Sequence, residues 1–209
     1  MVYPNKRALI QKSIRKDDVV LDVGFWGQGT DRHNPQWPHK LLKERAKDVY
    51  GLDLELEEPY RSDAHYLRSS AENFSFPVSF DVIFAGDLIE HLSNPGMFLE
   101  SCTRNLAHNG RVILTTPNAF NLFNIAEKFS KREPTVNKDH TCYFNSRTLS
   151  VLLAKNGFVV ESVDYLYALD VVYRESFKKK ALNVLYWFAS LFTDKFVETL
   201  VVTAVLKDS

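Results

Sequence analysis

The chain has 209 residues, 45% of them hydrophobic and 25% charged, with 26 basic side chains against 26 acidic ones. This length suits one well-filled core, a single domain over residues 1–209. Zero formal net charge excludes the electrostatic footprint of a protein that binds long nucleic acid.

Apolar blocks and helical stretches alternate along the chain, the pattern of parallel strands joined by crossover helices. The spacing predicts a short helix near Lys6–Arg15, a first strand at Val19–Val23, a helix around His39–Lys47 and a second strand at Val49–Asp53. His65–Leu67 reads as a short third strand and Phe80–Ala85 as the fourth. Asn94 and Pro95 open the next helix, which Asn109-Gly110 is expected to close before a fifth strand at Arg111–Thr115. A loop and helix run from Pro117 to about Lys131. Ser146–Asn156 is a helix stopped by Gly157, followed by strands at Phe158–Val163 and Thr199–Leu206. The expected fold class is α/β: a doubly wound, seven-stranded, mostly parallel sheet with an antiparallel last strand and helices on both faces.

Two cysteines, Cys102 and Cys142, give no disulfide framework and no C-x-x-C pair. No apolar run reaches the roughly 18 residues of a membrane span, and Met1–Arg7 opens no apolar signal segment. A cytoplasmic, soluble protein is the expectation. A helical insert at about 170–196 carries Lys178-Lys-Lys180 ahead of an aromatic-rich stretch to Phe192. Such a basic amphipathic segment, 178–192, suits peripheral contact with an anionic membrane, a substrate lid, a dimer contact or packing on the sheet.

Residues 18–29, Asp-Val-Val-Leu-Asp-Val-Gly-Phe-Trp-Gly-Gln-Gly, are the most informative in the chain. A buried-type strand carries one acid, Asp22, and breaks into Gly24, Gly27 and Gly29. This is how an α/β fold brings its backbone close to a nucleotide-like ligand. The dinucleotide fingerprint G-x-G-x-x-G is not met, because reading from Gly27 its last position is Arg32. A second acid, Asp53, ends the following strand. Between them Asp31–Pro38 is a polar, Pro-interrupted loop with Trp37 as its anchor.

With Phe80-Asp-Val-Ile-Phe-Ala-Gly-Asp-Leu-Ile-Glu-His-Leu-Ser-Asn-Pro, Leu106-Ala-His-Asn-Gly-Arg-Val-Ile-Leu-Thr-Thr-Pro-Asn and His140…Phe144…Ser146-Arg-Thr-Leu…Leu153…Asn156-Gly-Phe in the same order, the chain resembles the class I S-adenosylmethionine-dependent methyltransferases. The likeness is to small-molecule enzymes similar to the ubiquinone-biosynthesis type. It departs from their D-x-G-x-G-x-G turn in one respect, since Phe25-Trp26 adds a residue. The resemblance implies that Asp22 and the turn of Gly24, Gly27 and Gly29 receive the methionine end of S-adenosylmethionine. By the same likeness Asp53 accepts the ribose hydroxyls, Leu54 packs on the adenine, and Ala71 and Glu72 meet the adenine edge. Asp87 lies at the carboxyl edge, where ligands of open α/β sheets collect.

His91 and His140, with Glu90, are the candidates for proton removal from a small-molecule acceptor such as a sugar, lipid-linked glycan or phenolic hydroxyl. Asp87, Glu90, His91 and His140 also resemble the carboxylate and imidazole set that holds a divalent metal in some relatives, a reading less favoured than a metal-free site. Two other functions compete. A methyltransferase-like scaffold subunit would bind partners without turnover. An NAD(P)-dependent oxidoreductase would need the missing glycine fingerprint and a Tyr-x-x-x-Lys pair, which the sequence lacks.

Overall fold

The computed structural model describes residues 1–26, 34–58, 60–129, 137–167 and 194–207. They form an eight-stranded sheet: β1 (Val2–Tyr3), β2 (Val19–Val23), β3 (Asp48–Asp53), β4 (Tyr66–Arg68), β5 (Phe80–Gly86), β6 (Leu106–Pro117), β7 (Phe158–Leu166) and β8 (Thr199–Leu206). Five helices accompany them: α1 (Lys6–Ser13), α2 (Pro38–Arg45), α3 (Pro95–Asn105), α4 (Leu122–Phe129) and α5 (Ser146–Lys155).

Strand order is β1-β7-β8-β6-β5-β2-β3-β4. Every pairing is parallel except those of β8 with β6 and β7. From β2 the chain builds outward through β3 and β4, then returns to lay β5 on the other flank of β2. The strand order therefore reverses between β2 and β5, and a crevice opens beyond their carboxyl ends.

The period-2 alternation of the strands sorts their side chains onto two faces. Leu21, Ile83, Val112 and Val202 join Phe98 and Leu99 of α3 and Leu149 and Leu153 of α5 in one core. Val20, Val82, Ile113 and Val201 join Leu9 and Ile10 of α1 and Leu41 and Leu42 of α2 in the other. Each fully buried Leu, Ile or Phe contributes roughly 1.5–3 kcal/mol, so both helix layers are held by the sheet they cover.

Helix starts follow their polar residues. The Asn94 side chain accepts the Met97 N–H and Pro95 occupies the first turn of α3. Asn145 and Thr148 form a reciprocal capping box on α5, and Gly157 ends that helix region at φ +83°.

Two expectations are corrected. The sheet has eight strands rather than seven, because Val2–Tyr3 pairs in parallel with Tyr165–Leu166; two residues carry no periodicity to read. Asn109-Gly110 does not close α3, which ends at Asn105. It lies within β6, where pairing jumps from Phe80↔Leu106 to Val82↔Arg111 and loops out the residues between. Asn109 takes φ +59°, and a Cβ on Gly110 would sit 2.8 Å from the carbonyl oxygens of Ala107 and Phe80. The predicted insert falls largely, and the 178–192 segment wholly, outside the described residues. No helix among the described residues is long and apolar enough to cross a membrane.

One buried ion pair ties the layers at the sheet's amino edge. Arg111 of β6 donates to Asp18 Oδ2 at 2.6 Å and to the Ser13 carbonyl at 2.8 Å, while Asp18 also accepts the Arg15 N–H at 2.8 Å. Removing the guanidinium strands a buried carboxylate. Arg111→Met is expected to lower unfolding free energy toward the lower end of about 3–5 kcal/mol, since Arg15 still serves Asp18. Urea denaturation of the two proteins measures it.

Candidate active site

Asp22 is the penultimate residue of β2, at the crevice, with 3% of its surface exposed. Burial pushes its carboxyl pKa up, and the hydrogen bond from His39 opposes that rise. His39, on α2, places Nδ1 3.0 Å from Asp22 Oδ2 and Nε2 3.1 Å from the Tyr66 hydroxyl. Lys43 donates to that hydroxyl at 3.3 Å. An ammonium only donates, so a consistent chain runs from Lys43 to Tyr66, from the Tyr66 O–H to Nε2, and from Nδ1–H to Asp22. Burial raises the Tyr66 phenol's pKa, which keeps its proton available to this chain.

Beyond Asp22 the backbone turns at Gly24, with φ +78°. A side chain there would be strained, and its Cβ would lie 2.9 Å from Leu88 Cδ1. The Phe25-Trp26 pair, which lengthens the turn by one residue, goes inward. Phe25 and Trp26 are 4% and 6% exposed and form a third cluster with Trp37, Leu56 and Tyr66. The Phe25 ring centroid lies 4.4 Å from that of His39 and 5.3 Å from that of Tyr66. Trp37, the expected loop anchor, is buried here and donates its indole N–H to the Phe25 carbonyl at 3.1 Å. Gly51 makes room for the cluster, because a Cβ on it would fall 2.5 Å from Phe25 Cε1.

Asp53 ends β3 alongside. It is buried, accepts the Trp26 N–H on Oδ2 at 2.8 Å and accepts the Glu55 N–H on Oδ1 at 3.0 Å. Leu54 next to it is 63% exposed. Ala71 is buried in the core, and Glu72 uses Oε1 to accept the Asn94 N–H at 2.7 Å. Gly27 and Gly29 lie outside the described residues.

A cavity of about 190 Å³ occupies the crevice, lined by Asp22 and Gly24 from the end of β2, Gly86 and Asp87 from the end of β5, Phe25, and Lys6 of α1. Asp87 sits in left-handed backbone at φ +52°. It is fixed by Thr115, which receives its N–H and donates its hydroxyl to Oδ1 at 3.1 Å, and it meets Lys6 Nζ at 3.0 Å through Oδ2. Lys6 went unremarked in the sequence, as did His39 and Tyr66. Each acts through a partner on a different element, and spacing along the chain does not register that.

The next turn, Ile89–His91, carries the proton-transfer candidates. Glu90 is 1% exposed; its Oε2 accepts the Thr116 hydroxyl at 2.9 Å, and its Oε1 is buried without a hydrogen-bond partner among the described residues. Burial, with the charge of Asp87 adding to it, pushes its pKa from 4.5 to about 7. The Glu90 backbone carbonyl accepts the N–H groups of Thr141 and Cys142, which brings the following loop under the turn. His140 on that loop therefore stands edge-to-face with His91, ring centroids 4.5 Å apart. Burial and the neighbouring His91 lower the His140 pKa below its ordinary value.

Ligand atoms of Glu90, His91 and His140 all lie within 4.8 Å of one another. Asp87, the fourth member expected from sequence, is committed to Lys6 and Thr115 instead.

The methyltransferase domain family model matches residues 5–163. A relative from Mycolicibacterium smegmatis, named "probable S-adenosylmethionine-dependent methyltransferase", is 30% identical over 150 residues, covering 68% of this chain and 52% of that protein. The chain thus spans about half the length of that relative. Among solved structures, a SAM-dependent methyltransferase from Archaeoglobus fulgidus superposes with TM-score 0.61 at 16% identity, covering 95% of this chain and 91% of that one. The 1,6-didemethyltoxoflavin-N1-methyltransferase of Burkholderia thailandensis gives TM-score 0.58 at 15% identity, covering 97% and 77%.

A neutral Glu90 is the form its buried site favours, so its stabilising state is complete below pH 4.5 and is lost as pH rises through about 7. Across that window the loss is about 3 kcal/mol. Glu90→Gln, which cannot ionise, is expected to be progressively more stable than wild type from pH 5 to pH 8. Chemical denaturation at each pH measures the difference, and a constant difference would contradict the raised pKa.

Proposed function

This chain belongs to the class I S-adenosylmethionine-dependent methyltransferases, and from that membership we propose that it moves a methyl group from S-adenosylmethionine to a nucleophilic atom, most simply a hydroxyl, of a small molecule. The observation that carries the reading is the cavity at the strand-order reversal, flanked by Asp22 and with Asp53 at the end of the adjacent strand. The donor set fits: acids and an ammonium suit an amino-acid tail, and an exposed Leu54 beside a strand-end acid suits a nucleoside.

The cofactor supplies an electrophilic methyl on a positively charged sulfur. The protein's share is to bind, align and manage one proton. Asp22, steadied by His39, and the backbone at Gly24 would hold the tail, while Asp53 would meet the ribose. His140, whose neutral form burial and His91 favour, is the base that takes the acceptor's proton. Glu90 lies beside it, and its Oε1, without a hydrogen-bond partner among the described residues, suits holding the imidazole of His91 or His140. A phenol, a sugar or a lipid-linked glycan all present a hydroxyl that this arrangement serves.

A second use of the same cluster, as a three-donor seat for a divalent cation, is favoured by the convergence of Glu90, His91 and His140. Calorimetric titration with Mn²⁺ separates the two: heat that disappears in His140→Ala supports the metal seat, and no heat at millimolar Mn²⁺ removes it.

Isothermal calorimetry with S-adenosylhomocysteine tests the cofactor reading. Micromolar binding is expected for wild type and a loss of at least about tenfold for Asp53→Ala, because a bond to a charged group is worth about 1.5–3 kcal/mol. Absence of wild-type binding would bring the scaffold reading forward. For the chemistry, His140→Gln is expected to lower kcat by about 10²–10⁴-fold while leaving S-adenosylhomocysteine affinity unchanged, measured with labelled methyl donor.

A further inference from the structure

We propose that Lys6 binds the carboxylate of the cofactor's amino-acid tail, exchanging its contact with Asp87 for the ligand. The proposal rests on the S-adenosylmethionine reading and extends it to a residue outside the motifs.

Lys6 is placed for this by the first helix. Asn5 caps α1 by accepting the Ala8 N–H at 2.9 Å, and Leu9 and Ile10 bury the helix against the sheet. That packing brings the first residue of α1 over the ends of β2 and β5, where its side chain lines the cavity. The charge inventory there is lopsided. Two carboxylates, Asp22 and Asp87, face the cavity, and Lys6 is the one cation lining it among the described residues. Asp22, Asp87 and Glu90 all favour the charged form of Lys6.

The ammonium is held but not saturated. One of its three donors goes to Asp87 Oδ2, no second hydrogen bond is found among the described residues, and 37% of the side chain is exposed. Asp87 would not collapse if Lys6 turned away, because Thr115 holds its other oxygen and its N–H. A pair with one member fixed from behind and the other on a flexible stem is built for exchange of partners.

The guest that matches two carboxylates and one ammonium is a zwitterion. Its ammonium goes to the Asp22 and Asp87 side, and its carboxylate has Lys6 as the cation available to it. Among the described residues no second lining cation duplicates this role. A lysine at this point makes a charge-assisted hydrogen bond without imposing the planar geometry that an arginine would.

The experiment uses two probes, S-adenosylhomocysteine, which has the amino-acid tail, and 5′-methylthioadenosine, which keeps the thioether nucleoside and lacks the tail. Lys6→Met is expected to weaken S-adenosylhomocysteine about tenfold or more by calorimetry while leaving 5′-methylthioadenosine within twofold of wild type. Lys6→Arg should recover part of the lost affinity. Equal weakening of both probes, or no change in either, would overturn the assignment while leaving the cofactor reading intact. Failure of wild type to bind S-adenosylhomocysteine would overturn the cofactor reading and Lys6 with it.

Discussion

A carboxylate buried at the end of a central strand is the constraint around which the rest of this site is arranged. Asp22 stands where β2 leaves the sheet, between two neighbouring strands and with almost no contact with solvent. Leaving such a group unpaired would cost several kcal/mol, so α2 must deliver His39 to it. His39 is itself buried and needs a partner on its second nitrogen, which Tyr66 of β4 supplies. One acid therefore fixes the placement of a helix and of an edge strand that touches it only through a histidine.

The same carboxyl edge collects more negative than positive charge. The charge of Asp87 acts on Glu90 and that of Asp53 on Asp22, and among the described residues lining the cavity Lys6 is the one cation. An uncompensated acid in this region either raises its pKa, as Glu90 does, or attracts a cationic guest. Under the proposed reaction the donor arrives with a positive sulfur and leaves as a neutral thioether. The field that favours the donor is thus weaker for the product, which promotes release. It accelerates the chemical step only to the extent that the charge persists in the transition state.

Much of the architecture was legible because burial dictates it locally. Val19–Val23 and Thr199–Leu206 are runs of β-branched and apolar residues bounded by polar ones, and their ends coincide with β2 and β8. Asn94, Pro95 and Gly157 mark helix ends through short-range hydrogen bonding and backbone freedom. Asn109-Gly110 misled for an instructive reason: the left-handed backbone that ends a helix also serves an irregularity within a strand, and only the partner strand β5 distinguishes them. The acids were readable from their position after apolar runs. Lys6, His39 and Tyr66 were not, since a lysine at the start of a helix, a histidine in a helix and a tyrosine in a strand have ordinary uses at each place. Their function exists only after α1, α2 and β4 converge.

The extra residue in the glycine turn shows how far such convergence reaches. In the sequence, Phe25-Trp26 lengthens the turn by one residue and puts two large aromatic side chains among its glycines. In the fold, Phe25 is driven by its own apolar surface into contact with His39 and Tyr66, the two side chains that already support Asp22. Trp26 is anchored through its backbone N–H on Asp53. The surplus length is thus absorbed by the groups that hold the two strand-end acids, and the cavity beside Gly24 stays open. That solution works only because β3 carries glycine at position 51, where any Cβ would collide with the Phe25 ring. Turn, acid, histidine and strand glycine have to change together, so departure from the usual spacing is better read as a coupled set of residues than as an insertion.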